Sequence, residues 1–131
     1  MQLRVYYEDT DCGNVVYYAN YLKYMERSRT ELLREKGIDL AEYHEKGLLF
    51  AVTEANIKYN APAIYNDLLD VSSAIIELTP VTILFSTQIK RASDGLLLVT
   101  GDVRIACIST EGRPRRMPKE MTNVLSGLLP A

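Results

Sequence analysis

The sequence has one histidine, His44, and only two cysteines, Cys12 and Cys107. The histidine stands outside every motif described below and reads as a surface residue, so it offers no basis for histidine catalysis. The cysteines lie far apart and form no CxxC pair, which argues against a structural disulfide and against a metal site built on them. Charge of one sign is also lacking. Fifteen Lys and Arg face 17 Asp and Glu, a net charge of −2. That balance excludes a general nucleic-acid binder and leaves phosphate recognition to a local basic cluster. No apolar run approaches the ~20 residues of a membrane span. The N-terminus, Met1-Gln2-Leu3-Arg4-Val5, enters strand-like residues without an apolar leader. A cytoplasmic location is the expectation.

What is present suffices for one core. The chain has 131 residues, 47% of them hydrophobic, and one domain over residues 1–131 is expected. Residues 3–7 read as a first strand, and the acidic stretch with Gly13 and Asn14 as a loop. Residues 19–36 carry Leu22, Met25, Arg29 and Leu32/Leu33 at helical spacing, with Arg29 covering apolar surface by its stem. Gly37 is the stop. Asp39 can cap a short second helix that ends at Gly47.

After Gly47 the period becomes two. Ala51, Ala55, Ile57 and Tyr59 are predicted to share one face. Leu68, Ala74, Ile76 and Leu78 form the next such set, then Val81, Ile83, Phe85 and Ile89, then Leu97, Val99, Val103, Ile105 and Cys107. Short links between these runs favour antiparallel pairing. The plan is α+β, with one main helix and a sheet of about five strands. The sheet's open edges make edge-to-edge pairing of protomers the expected assembly.

Three acidic residues, Glu8, Asp9 and Asp11, crowd the approach to the long helix. By spacing alone Asp9 and Asp11 are turn caps. A longer pattern adds to this. Asp9-x-Asp11 precedes Val15-Val16-Tyr17 and Tyr21, then Tyr24-Met25-Glu26 and Arg29. Ile57-Lys58-Tyr59, Pro62, Tyr65-x-Asp67, Gln88-Ile89-x-Arg91, Leu98-Val99-Thr100-Gly101 and Arg115-Arg116-Met117-Pro118 follow in order. This series, spread over nearly the whole chain, resembles the hot-dog-fold thioesterases of the 4-hydroxybenzoyl-CoA and YbgC-type acyl-CoA group.

The resemblance implies one long central helix wrapped by a curved antiparallel sheet, and hydrolysis of a coenzyme A thioester without a cofactor. It implies that Asp11 is the catalytic carboxylate, acting as nucleophile or as general base. It implies that the Tyr18 backbone N–H, at the helix start, polarises the thioester carbonyl. Tyrosine at position 18 matches the 4-hydroxybenzoyl-CoA type, where YbgC-type members carry histidine, so acyl and aroyl substrates both stay open. A homodimer, or a tetramer built as a dimer of dimers, is the implied assembly.

Other candidates have two readings each. Tyr17 and Tyr21 line a substrate pocket or pack between helix and sheet. Ser86 is a pocket candidate on its strand. Lys90, Arg91 and Arg116 meet the phosphates of coenzyme A or are solvated charge. A non-catalytic hot-dog module that binds acyl-CoA or acyl carrier protein is the alternative to an enzyme.

Overall fold

The computed structural model describes residues 1–130. Its elements are β1 (Gln2–Arg4), α1 (Asn20–Glu35), α2 (Leu40–Glu45), β2 (Leu49–Tyr59), β3 (Leu68–Leu78), β4 (Thr82–Arg91), β5 (Leu97–Ile108) and α3 (Lys119–Ser126), with a 3₁₀ turn at Tyr7–Asp9. The strands form one antiparallel sheet in the order β1-β3-β4-β5-β2. The helix α1 lies against β3 and β4, and the α+β plan is as expected.

The helix α1 has 16 residues, about 24 Å at ~1.5 Å per residue. Its inner stripe is Tyr21, Tyr24, Met25, Ser28 and Leu33. Leu22, expected to begin that stripe, is exposed. The tyrosine rings take the inner positions, where they bury more apolar area than Leu22 would. Ser28 joins them because its hydroxyl is paired. Its Oγ lies 2.8 Å from Ser73 Oγ, which lies 2.8 Å from Thr87 Oγ1. A bonded hydroxyl costs little to bury. The helix ends as its glycine suggests. Gly37 N–H donates to Arg34 O and Ile38 N–H to Leu33 O, with Gly37 at φ +81°. That is the Schellman arrangement, and it buries Ile38 beside Leu33. Asp39 caps α2 by accepting Ala41 N–H at 3.0 Å.

Ile83, Phe85, Thr87 and Ile89 of β4 all face inward, as the alternation predicts. Two other strands depart from their expected phase, and each carries a bulge. In β3 the core set is Leu69, Val71 and Ile75, while Ala74 and Ile76 are exposed. The register slips between Ile75 and Glu77, so only Leu78 rejoins the face proposed for it. In β2 the register slips between Val52 and Glu54. Ala51 pairs with Ala106 and Ala55 with Val103, which puts the two alanines on opposite faces. The first strand is shorter than expected, since the chain bends into the 3₁₀ turn at Tyr7. The helix α3 was not anticipated. Met121 and Leu125 bury one side of it, a single i, i+4 pair that is a weak periodic signal.

The sheet closes tightly on α1 at Gly101. A Cβ built there would stand 2.6 Å from Met25 Cε. The outer edge of β2, 11 residues long, has no strand beside it among the described residues. Among the described residues no helix is long and apolar enough to cross a membrane.

Candidate active site

The segment between the 3₁₀ turn and α1 folds back on itself. Thr10 and Val16 form an antiparallel bridge, and Asp11 N–H donates to Val15 O at 2.9 Å. Asp11 Oδ1 accepts Gly13 N–H at 2.8 Å, and Asp11 O accepts Asn14 N–H at 3.1 Å. The reversal requires left-handed backbone, and Asn14 supplies it at φ +63°. The turn-capping role that spacing suggested for Asp11 is therefore real. It occupies one carboxylate oxygen. The other, Oδ2, accepts no bond among the described residues.

A second set of bonds fixes this loop to the start of α1. Asp9 O accepts Tyr17 N–H at 2.9 Å and Asn20 Nδ2 at 2.8 Å. Asn20 N–H donates to Tyr17 O at 2.8 Å. The Asp11 loop and the helix N-terminus are thus held by one carbonyl. Ala19 is the N-cap residue, without a side-chain cap. Tyr18 precedes it, and its N–H meets no acceptor among the described residues. An unpaired N–H at a helix start carries the positive end of the helix dipole and suits a developing anion.

The opposite wall comes from residues 60–67. Val15 bridges to Ile64, and Val16 N–H donates to Ala63 O at 2.9 Å. Ala63 is fully buried, and its N–H donates to the Tyr21 hydroxyl at 3.0 Å. Arg91 braces this wall from β4. Its Nε lies 3.3 Å from Asp67 Oδ2, NH1 reaches Asp94 at 2.9 Å, and NH2 donates to Pro62 O. Asp67 Oδ2 in turn accepts Ile64 N–H at 3.0 Å. Between wall and helix start lies a cavity of about 270 Å³, lined by Val16, Tyr18, Tyr21, Tyr59, Asn60, Ala61 and Pro62. Asp11 is not among the lining residues; its neighbour Thr10 bridges to Val16, which is.

The structure brings some of the sequence candidates together and separates others. Tyr17 and Tyr18 are exposed neighbours, with ring centroids 4.8 Å apart. The hydroxyl of Tyr18 raises the pKa of Tyr17, and the Asp11 carboxylate adds to the effect. Tyr21 lines the cavity, but its hydroxyl is committed to Ala63. Burial raises its pKa, while the Ala63 bond opposes the shift. Arg91 is near the site as a brace rather than a free cation. Ser86 and Lys90 alternate with Phe85 and Ile89 on β4 and face away from the core. Arg116 lines a separate cavity of about 410 Å³ with Thr79 and Pro80. That is the β3–β4 turn, at the end of the sheet opposite Pro62. Within one protomer, then, Ser86, Lys90 and Arg116 do not join Asp11. His44 is exposed on α2.

Three residues of the site were not assigned from sequence. Asn20, Tyr59 and Asp67 act through backbone groups, and nothing in a side-chain pattern states which carbonyl or N–H will need a partner. Tyr59 and Asp67 did belong to the extended series. Among the described residues no group of three His, Cys, Asp or Glu side chains is placed to hold a metal.

Comparison with known proteins places the chain in a family. The model of the thioesterase-like superfamily matches residues 5–125. The acyl-CoA thioesterase YbgC of Haemophilus influenzae is 40% identical over 121 residues, covering 91% of this chain and 88% of that protein. The acyl-CoA thioester hydrolase YbgC of Escherichia coli is 34% identical over 120 residues, covering 91% and 89%. The crystal structure of a 1,4-dihydroxy-2-naphthoyl-CoA thioesterase from Synechocystis superposes with a TM-score of 0.90 at 23% identity, covering 98% and 95%. That last likeness speaks to the fold, which is the hot-dog fold.

Proposed function

The chain belongs to the thioesterase-like superfamily, and on that premise we propose that it hydrolyses an acyl-coenzyme A or aroyl-coenzyme A to free acid and coenzyme A. The observation that carries this reading is the pairing of a carboxylate with an unpaired helix N–H on one rigid unit. Asp11 Oδ2 and Tyr18 N–H are both unpaired among the described residues, and Asp9 O holds their two segments together.

The thioester carbonyl oxygen takes the Tyr18 N–H, which stabilises the charge that grows there as the carbonyl carbon becomes tetrahedral. Two routes use Asp11. As nucleophile, its oxygen bonds the acyl carbon, the C–S bond breaks, coenzyme A leaves as thiolate, and water cleaves the mixed anhydride. As general base, it takes a proton from water while the water oxygen bonds the acyl carbon, and the tetrahedral adduct expels the thiolate. A thiol pKa near ~8.5 makes that leaving group good without a strong general acid, in keeping with a site that has no histidine. Asp11→Asn is expected to lower thiol release by about 10²–10⁴-fold with fold and oligomer intact. The assay is spectrophotometric thiol release from short-chain, long-chain and aromatic CoA thioesters. Wild-type turnover by the variant would sink the assignment. Binding without hydrolysis across the panel would favour the non-catalytic module.

We further read the protein as one hot-dog domain over residues 1–131, acting in the cytoplasm. The open β2 edge supports a homodimer formed by pairing the two β2 strands, and a dimer of dimers beyond it. Coenzyme A phosphates are then left to cations other than Arg91, since Asp67 and Asp94 already engage its guanidinium.

A further inference from the structure

The first turn of α1 is unusually tight. Leu22 N–H donates to Ala19 O, three residues back, at 3.2 Å, and not to Tyr18 O, four back. Tyr18 precedes the N-cap residue Ala19, so its carbonyl lies outside the helix's own hydrogen-bond ladder and depends on a partner from elsewhere. One group supplies it. The Tyr59 hydroxyl, from the end of β2, donates to Tyr18 O at 3.2 Å. No other donor reaches this oxygen among the described residues.

The Tyr59 ring adds contact to the bond. It meets Tyr18 edge-on, with centroids 6.4 Å apart and planes at 85°, and lies 5.6 Å from Tyr21. The same ring lines the cavity beside Tyr18. Burial, and to a lesser extent Tyr18, raises the Tyr59 pKa, so the hydroxyl keeps its proton and remains a donor at neutral pH.

The turn that presents the Tyr18 N–H is thus held from both sides. On the chain's own side, Asp9 O takes Tyr17 N–H and Asn20 Nδ2, and Tyr17 O takes Asn20 N–H. On the sheet side, Tyr59 takes the Tyr18 carbonyl. Without the Tyr59 hydroxyl the Tyr18–Ala19 peptide loses the one bond on its carbonyl, and any tilt of that peptide about the Tyr18 Cα shifts the neighbouring N–H as well. An anion-stabilising donor contributes most when it needs no reorganisation during the reaction.

We propose that Tyr59 is a positioning residue for thioester hydrolysis, its hydroxyl holding the Tyr18 turn so that the Tyr18 N–H meets the developing oxyanion. This rests on the thioesterase reading above. Tyr59 does not touch the reacting atoms through its hydroxyl, and its action passes through the backbone of Tyr18.

Tyr59→Phe keeps the ring and removes only the hydroxyl. The expected result is a kcat lowered about three- to tenfold, the worth of one hydrogen bond, with KM within about twofold because the cavity wall is retained. Tyr59→Leu, which also removes the wall, is expected to raise KM in addition. A Tyr59→Phe variant with wild-type kcat, or one that loses only KM, overturns the proposal. The second readout needs no turnover. The carbonyl ¹³C resonance of Tyr18, assigned by triple-resonance NMR, should move upfield in Tyr59→Phe as its hydrogen bond is lost, while resonances of β3 and β4 stay in place. An unmoved Tyr18 carbonyl overturns the proposal whatever the kinetics. If the wild-type protein cleaves no thioester in the panel, the thioesterase reading fails and the positioning role falls with it. The carbonyl shift then reports only whether the bond exists.

Discussion

Tyr21 and Tyr24 sit one turn apart on α1, both almost fully buried, and removing their hydroxyls should have opposite consequences. The Tyr21 oxygen is the acceptor for Ala63 N–H at 3.0 Å, at a residue with no exposure. In Tyr21→Phe that N–H stays buried without a partner, a loss of about 1–3 kcal/mol. The Tyr24 oxygen is buried and bonded to nothing among the described residues. After burial, the neighbouring Asp9 carboxylate helps raise its pKa, by its charge and by a weak approach to the hydroxyl that falls short of a formed hydrogen bond. Tyr24→Phe deletes an unsatisfied group and should be neutral or stabilising by up to about 1 kcal/mol. For a chain of this size each 1 kcal/mol corresponds to roughly 3–5 °C in Tm. The Tyr21 variant should therefore melt about 3–15 °C lower, and the Tyr24 variant at or slightly above the wild type. Scanning calorimetry measures this, and urea titration with unchanged m would show that the denatured state is not responsible. Hydrogen exchange adds a local check, because only Tyr21→Phe should speed exchange at Ala63. Equal Tm values for the two variants would refute the reasoning. They would mean that the wall formed by residues 60–67 does not depend on the Tyr21 hydroxyl.

The same pair governs the alkaline limit of stability. Both phenols have folded pKa values raised above the ordinary value near ~10, so above that pH the unfolded chain releases protons that the folded one keeps. The contribution of these two phenols should be constant below about pH 9 and be lost as pH rises beyond ~10, and Tyr24→Phe should flatten that fall in pH-dependent urea melts. Gly101→Ala drives a methyl to within 2.6 Å of Met25 Cε in a filled core, at a cost of about 1–3 kcal/mol. A second substitution, Met25→Ala, should show favourable coupling in a double-mutant cycle, and simple additivity would contradict the contact. Val52→Asp places a charge on the open β2 edge, where Val52 is 54% exposed. Light scattering should then show a shift toward monomer, and an unchanged oligomer would move the interface elsewhere.

Much of the fold was readable, and the failures share a cause. Gly37, Asp39 and Gly47 mark helix boundaries through local backbone chemistry, and local chemistry survives tertiary context. The strand β4 was read correctly because its alternation is unbroken. In β2 one extra residue at Thr53 resets the period and puts Ala51 on the other face from Ala55; in β3 the inward set is Leu69, Val71 and Ile75, one residue out of phase with Leu68 and Ala74, and the bulge at Ile76 returns only Leu78 to the inner side. The inner side of α1 was misjudged because a leucine ranks above a serine on any apolar scale. Ser73 and Thr87, distant in sequence, are what make Ser28 acceptable inside. At the candidate site, the turn around Asp11 could be read from Asp, Gly and Asn. The unpaired state of the Tyr18 N–H, and the carbonyl beside it, could not. Backbone groups have no letter in the sequence, and only the fold says which of them lack partners.

The single carbonyl of Asp9 that gathers Tyr17 and Asn20 divides the site into two inheritances. The proposed carboxylate, Asp11, and the proposed oxyanion donor, Tyr18, both lie inside the 11-residue span from Asp9 to Asn20 that this bond closes, so the distance between them would be encoded within one short stretch of chain. The wall that would meet the acyl group is brought from far away, 42 residues distant at the Tyr21–Ala63 bond. On the proposed assignment, chemistry and selectivity are written in separate parts of the polypeptide. Substitutions in residues 59–67 would then reshape what is accepted while the proposed reacting pair keeps its spacing, which would give one such unit room to serve many acyl groups.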